Sequence, residues 1–329
     1  MKTLMDVVTL KDRLDAAGTA GTRTVLLDVR WALGDPHGRE HYLAEHLPGA
    51  VFVDLATELA GPADPRRGRH PLPTLEQFQA SARAWGIRGG DVVVAYDDSG
   101  NLAAARLWWM LRNAGIAEVY LLDGGLAAWR DAGLDVESGE RQAEPGDIVL
   151  TAGTVAGGAL TGGAPTGGAM PVIDAGQAAS WGRHGLLLDA RAGERYRGEF
   201  EPVDPRAGHI PGAMSAPTTA NVGADGRFLS PEALRQRFTS LGVRADVPTA
   251  VYCGSGVTAA HEIAALEIAG FPAALYPGSF SEWSNNDSNE VVTGAAPYPD
   301  EAATDPDGAG AAIGPDGATA TGPDRAAAQ

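Results

Sequence analysis

Leu186-Leu187-Leu188-Asp189-Ala190-Arg191, followed by His209-Ile210-Pro211-Gly212-Ala213, is the second statement of a pattern that the chain has already made. The first is Val25-Leu26-Leu27-Asp28-Val29-Arg30, followed by His46-Leu47-Pro48-Gly49-Ala50. The parallel continues. Val92-Val93-Val94-Ala95-Tyr96-Asp97 matches Thr249-Ala250-Val251-Tyr252-Cys253, and each leads into a Gly/Ser loop and an Ala-rich segment ending Ala114-Gly115 or Ala269-Gly270. Gly124-Gly125-Leu126-Ala127-Ala128-Trp129 then matches Pro277-Gly278-Ser279-Phe280-Ser281-Glu282-Trp283. Matches that recur in one order indicate duplication of a domain of about 120 residues.

Each copy alternates strand and helix. Thr24–Leu27, Val92–Tyr96, Val119–Leu122, Leu186–Leu188 and Ala250–Tyr252 are short apolar runs of the kind that form buried strands. Leu75–Trp85 is amphipathic, with Thr74 as N-cap and Gln77 at the third helical position. Ser230 caps a second helix with Pro231 at its first position. The alternation predicts an α/β fold: two tandem domains, each a parallel sheet flanked by helices on both faces. Ligands in such sheets bind at the carboxyl ends of the strands. Cys253 falls at one of those ends.

The chain has 329 residues, of which 44% are hydrophobic, enough for two domain cores. Forty-two acidic against 25 basic side chains give a net charge of −17. That balance argues against nucleic-acid or anionic-membrane partners, which require basic surface. No apolar run approaches the roughly 20 residues of a membrane span. With acids in the first fifteen residues and one cysteine, the expectation is a cytoplasmic protein without disulfide, cofactor or metal. Residues 151–171 contain seven glycines and no charge, which predicts a flexible Gly/Ala/Thr linker between domains 1–150 and 172–293. Residues 294–329, with six acids against one base, read as a disordered acidic tail.

The most informative stretch is Tyr252-Cys253-Gly254-Ser255-Gly256-Val257-Thr258-Ala259-Ala260-His261. A strand ends at the cysteine and a helix starts within about five residues. Two glycines let the backbone between them curl and turn successive N–H groups inward, which makes an anion-binding hollow. The helix N-terminus adds partial positive charge. Both favour thiolate, the reactive form of cysteine. Phosphatases with a similar loop need an arginine six residues after the cysteine. Ala259 stands there, which argues against phosphoryl transfer.

In these residues the chain resembles the tandem-domain rhodanese family of sulfurtransferases. His-[Leu/Ile]-Pro-Gly-Ala in both halves, the paired Gly-x-x-x-Trp segments and the loop Cys-Gly-Ser-Gly-Val-Thr-Ala carry the resemblance, over roughly residues 1–150 and 172–293. The loop is similar to that of the 3-mercaptopyruvate sulfurtransferase branch. A thiosulfate-preferring loop typically places basic residues where this chain has Gly254 and Ser255. The resemblance implies that the first domain is non-catalytic, with Asp97 where the cysteine would be. It implies that Cys253 takes sulfur from a small-molecule donor as a persulfide and passes it to a thiol, cyanide or thioredoxin-like acceptor. Ser255 would polarise the sulfur or relay a proton, and the N–H groups of Gly254, Gly256, Val257 and Thr258 would hold the negative charge.

Arg195 and Arg206 match the family's two substrate arginines, which would clamp the donor's carboxylate. Their separation is two residues longer than the family pattern. His70, in Gly68-Arg69-His70-Pro71, matches a first-domain histidine that faces the cleft. The branch places an aspartate shortly after Asp54, where this chain has Ala56, so Asp54 itself or Glu58 would have to serve. His46, His209, Arg30 and Arg191 recur in both halves, including the half without a cysteine, and are therefore expected to be structural. His261 receives no catalytic role. The paired tryptophans read as core and interdomain packing. A two-domain monomer with an internal cleft needs no partner subunit. Two other readings stay open: a thiosulfate sulfurtransferase, and a non-catalytic sulfur-carrying or binding module.

Overall fold

The computed structural model describes residues 3–16, 22–151 and 170–298; most of the expected linker and of the expected tail lies outside them. The first half contains strands β1 (Leu4–Met5), β2 (Thr24–Asp28), β3 (Val51–Phe52), β4 (Val92–Tyr96) and β5 (Val119–Leu122). Its helices are α1 (Val7–Ala16), α2 (Gly38–Ala44), α3 (Leu55–Glu58), α4 (Leu75–Ala84), α5 (Ala104–Asn113) and α6 (Gly125–Asp131). The second half contains α7 (Ala175–Trp181), β6 (Leu186–Asp189), α8 (Gly193–Arg197), β7 (Ala213–Ser215), α9 (Pro231–Ser240), β8 (Thr249–Tyr252), α10 (Thr258–Ile268), β9 (Ala274–Leu275) and α11 (Ser279–Trp283).

All strand pairs are parallel, in the orders β1-β5-β4-β2-β3 and β7-β6-β8-β9. The two orders are the same once the duplicated elements are matched. Even the edge strand has a counterpart: Leu4 pairs with Leu121 in the first sheet, and Val172 forms a parallel bridge to Leu275 in the second. The expected caps are present. Thr74 and Gln77 complete a capping box on α4, and the Ser230 side chain accepts from Ala233 N–H with Pro231 in the first turn of α9.

Each sheet packs one face on its own apolar cluster, around Tyr96 and Trp129 in the first half and around Tyr252 and Trp283 in the second. The other two faces share one continuous core that joins both halves, from Trp108 and Trp109 to Ala264 and Ile263. Helices α5 and α10 meet within this core. Small residues on the two helices, Ala104 and Ala105 on α5 and Ala260 and Ala264 on α10, are all fully buried, and side chains of that size allow close approach. This places the carboxyl ends of β4 and β8 on either side of one seam. Trp129 and Trp283 lie in the separate outer clusters and not between the halves, contrary to an interdomain role.

The duplicated residues are structural, as their recurrence suggested. Asp28 holds Arg30 and Asp189 holds Arg191 through buried ion pairs. His46 stacks on Tyr42 and His209 on Tyr196. Residues 294–298, placed with the tail by composition, pack on the second half: Gly212 N–H donates to Pro297 O at 2.6 Å, and Tyr298 Oη donates to Gly182 O at 3.2 Å. Met170, at the end of the expected linker, is buried, and Pro171 O accepts from Leu275 N–H.

Candidate active site

Cys253 follows the last residue of β8, and α10 begins at Thr258. Gly256 N–H donates to Cys253 Sγ at 3.1 Å, so the loop curls back onto its own sulfur. This curl needs glycine. Gly256 has φ +77, and a Cβ there would lie 2.4 Å from Pro277 O. The cysteine's own main chain is fixed from α11: its N–H donates to Ser279 Oγ (3.1 Å) and its carbonyl accepts from Phe280 N–H (2.9 Å). Cys253 is 2% exposed. Among the described residues, the N–H groups of Val257, Thr258 and Ala259 have no acceptor.

The matching loop of the first half holds an anion of its own. Asp97 Oδ1 accepts from Ser99 and Asn101 N–H (2.8 and 2.7 Å), and Oδ2 accepts from Ala103 and Ala104 N–H (2.8 and 3.0 Å). Burial raises this carboxyl above the usual range while the four amides pull it back. Four donors converging on two oxygens is the arrangement of an ionised carboxylate. The strand–loop–helix unit of this chain is thus an anion cradle, filled in one copy by a side chain and carrying a sulfur in the other.

Three first-half residues reach the Cys253 loop. His70 Nδ1 shares a 2.8 Å hydrogen bond with Ser255 Oγ. Burial first, then the Arg106 and Arg69 guanidiniums, lower His70 to about 4, so the ring is neutral at neutral pH. Trp31 stands edge-on to the ring at 5.5 Å. Arg69 donates from its main-chain N–H to Ser281 Oγ (3.0 Å) and from Nη1 to Asp204. Arg106, fully buried on α5, donates to Gly256 O at 2.9 Å and to His70 O at 3.0 Å.

Of the two expected arginines, one is at the loop. Arg195 lies beside Gly254 and is held by Glu201 Oε1 (2.6 Å) and Asp204 Oδ2 (3.2 Å). Burial works against the charge on Glu201, yet the Arg195 guanidinium and the Asp204 N–H hold it below the usual range. Arg206 is elsewhere. Its guanidinium donates to the carbonyls of Trp283, Ser284, Asn286 and Asn289, at the C-terminal end of α11. A cation in that position satisfies carbonyls that the helix leaves unpaired.

Neither acid near Ala56 is bonded to His70 or Ser255. Asp54 caps α3 through Ala56 N–H, and Glu58 accepts from Asp54 N–H and Trp85 Nε1. His261 bonds Thr218 Oγ1 (2.7 Å) and Gly100 O (3.1 Å), a seam contact away from the sulfur. Arg69 and Arg106 were missed from sequence. The available signals were a cation beside His70 and a charge embedded in the apolar run Ala103-Ala104-Ala105-Arg106-Leu107-Trp108.

The Rhodanese-like domain family matches residues 6–132 and 174–286. A Pseudomonas aeruginosa protein described as a probable 3-mercaptopyruvate sulfurtransferase is 48% identical over 277 residues, which cover 82% of this chain and 92% of that protein. A Mycobacterium tuberculosis protein described as putative thiosulfate sulfurtransferase SseB is 46% identical over 277 residues, covering 84% and 93%. The crystal structure of the 3-mercaptopyruvate sulfotransferase SseA from Escherichia coli matches with TM-score 0.70 and 30% identity, over 85% of this chain and 99% of that one. Among the described residues, no helix is long and apolar enough to cross a membrane.

Proposed function

This chain belongs to the rhodanese family of tandem-domain sulfurtransferases, and from that premise we propose that Cys253 takes the thiol sulfur of 3-mercaptopyruvate and carries it as sulfane sulfur. The thiolate attacks the donor's sulfur, and the carbon–sulfur bond breaks. Its electrons leave on the enolate of pyruvate, which takes up a proton. Cys253 keeps the sulfur as a persulfide. An acceptor nucleophile then attacks the outer sulfur and Cys253 leaves as thiolate, so a cyanide acceptor becomes thiocyanate. This is two-step covalent catalysis with ping-pong kinetics.

The observation that carries the reading is the Gly256 N–H on Cys253 Sγ, in a loop whose first-half twin binds a carboxylate through four amides. The N–H groups from Gly254 to Thr258 supply the same field to a persulfide anion. The neutral His70, bonded to Ser255, relays the proton that the enolate needs. Arg195 takes the donor's carboxylate. Domain 1–150 contributes His70 and domain 172–293 the cysteine, with 151–171 as linker and 294–329 as tail. The protein acts in the cytoplasm as a monomer, with a thiol, cyanide or a thioredoxin-like protein as acceptor.

Intact mass after donor treatment tests this. One added sulfur, ~32 Da, lost on addition of cyanide, is the expected result. No adduct leaves a non-catalytic binding module. The similarity to a protein described as a putative thiosulfate sulfurtransferase favours thiosulfate as second donor. Sulfur release from mercaptopyruvate no faster than from thiosulfate would reverse the order of the two.

A further inference from the structure

We infer that Ser281 is the positioning residue that sets His70 against Ser255 across the seam between the two halves. The inference rests on the mercaptopyruvate reading above, in which His70 relays a proton, and concerns what holds the ring in place. No carboxylate among the described residues is bonded to that ring; its hydrogen bond is the one with Ser255 Oγ, at 2.8 Å. Its orientation therefore comes from packing and from the backbone that carries it. That backbone is Gly68-Arg69-His70, a first-half strap lying flush on α11. Gly68 has φ +90, and a Cβ there would lie 2.6 Å from Gly278 O and 2.9 Å from Ser281 Oγ. Arg69 N–H donates to Ser281 Oγ at 3.0 Å. The Ser281 hydroxyl donates in turn to Gly278 O at 3.1 Å, which aims its proton away and leaves a lone pair for the strap. His70 O is held by Arg106 at 3.0 Å, so the two residues are fixed at both ends. Trp31, edge-on to the ring, limits what rotation is left.

The duplication separates what the fold requires from what the chemistry requires. Gly124-Gly125-Leu126-Ala127 matches Gly278-Ser279-Phe280-Ser281, residue by residue. Both copies keep the main-chain bond from this turn to the strand end: Leu126 N–H to Asp97 O at 3.0 Å, and Phe280 N–H to Cys253 O at 2.9 Å. The first copy builds its helix with Ala127 where the second has Ser281, so the turn forms without a hydroxyl. Ser281 is fully buried, and burying a hydroxyl is unfavourable unless it is hydrogen-bonded. Here one of its two bonds crosses the seam. The Ser281 N–H donates to Gly254 O at 2.8 Å. One residue thus grips the cysteine loop by its main chain and the His70 strap by its side chain, and the spacing between sulfur and ring is set through it. Truncation to alanine keeps the first grip and releases the second.

The test measures single-turnover sulfur loading of the full chain by intact mass, in wild type, Ser281→Ala and Gly68→Ala. Loading from mercaptopyruvate expels an enolate that must gain a proton. Thiosulfate expels sulfite and iodoacetamide expels iodide, and neither leaving group needs one. Ser281→Ala should slow mercaptopyruvate loading about tenfold or more, because a relay worth on the order of 10²–10⁴-fold depends on where the ring sits. The mercaptopyruvate KM, thiosulfate loading and Cys253 alkylation by iodoacetamide should stay within about twofold. Gly68→Ala pushes the strap off α11 without touching the hydroxyl, and should give the same split. Mercaptopyruvate loading of Ser281→Ala within about twofold of wild type, or an alkylation rate that falls in the same proportion, overturns the inference. Failure of the mercaptopyruvate reading itself shows separately, as a wild-type protein without a sulfur adduct. The ring then decides. The His70 C2–H resonance, identified by its loss in His70→Asn, should shift in Ser281→Ala, and an unmoved resonance overturns the inference as well.

Discussion

Arg106 Nη1 donates to the carbonyl of Gly256 at 2.9 Å, from one half of the molecule into the Cys253 loop of the other. Its Nη2 holds His70 O and Leu59 O at 3.0 and 3.3 Å, and no carboxylate among the described residues is bonded to it. Burial lowers the guanidinium to about 10, with Cys253 the neighbour that favours its charge. A trans peptide points its N–H opposite to its carbonyl, so fixing Gly256 O toward Arg106 turns the Val257 N–H away from the guanidinium. Arg106 is a positioning residue for the loop and for His70 together.

Arg106→Met should therefore lower kcat more than it raises the donor KM, and slow alkylation of Cys253 by iodoacetamide at pH 7. Arg106→Lys should restore part of both. A wild-type alkylation rate in folded Arg106→Met would remove the guanidinium from any account of the loop.

Cys253→Ser should abolish turnover and the sulfur adduct. The smaller hydroxyl can still accept from Gly256 N–H, so urea unfolding should change by no more than about 1 kcal/mol. Residual turnover would place the chemistry on another group.

Asp97→Asn probes the cradle in the half without the cysteine. The amide keeps one acceptor oxygen and turns an NH2 toward two buried N–H groups. Each orphaned donor costs on the order of 1–3 kcal/mol, and denaturant unfolding should register the loss. Unchanged stability would mean that the four amides do not require an anion.

His261 gives the protein an acid limb. Burial, and to a smaller degree Arg237, lowers the ring to about 3, while the ordinary value applies after unfolding. The unfolded chain then binds the extra proton between about pH 6.5 and 3, so this contribution is whole above that window and is lost progressively as pH falls through it. The steepest slope is about 1.4 kcal/mol per pH unit. Glu262, beside it on α10, is bonded to Asn221 and Arg237 and is raised by burial. Urea midpoints measured from pH 7 to 4 should fall less steeply in His261→Gln than in wild type. Parallel curves would mean that the ring is not held neutral.

The chain's local chemistry was legible where it is local. Strand runs, the Thr74 and Ser230 caps, the doubled Asp-x-Arg and His-x-Pro-Gly patterns and a cysteine at a strand end are settled within a few residues of backbone. Arg206 shows the limit of that reading. Its neighbourhood in sequence matched a substrate arginine, but its guanidinium reaches carbonyls at the far end of α11. The family's acid after Asp54 has no bonded substitute here, because Asp54 and Glu58 are engaged in capping α3 and in the contact with Trp85.

The amino-acid order alone determined the duplication, the parallel sheets and the cysteine at a strand end, because periodicity, turn glycines and the group that ends a strand act over short stretches of chain. Only the tertiary structure decided which charges surround that sulfur. Arg69 and Arg106 lie far from Cys253 along the chain, and two alanine-lined helices had to dock before their donors could reach its loop.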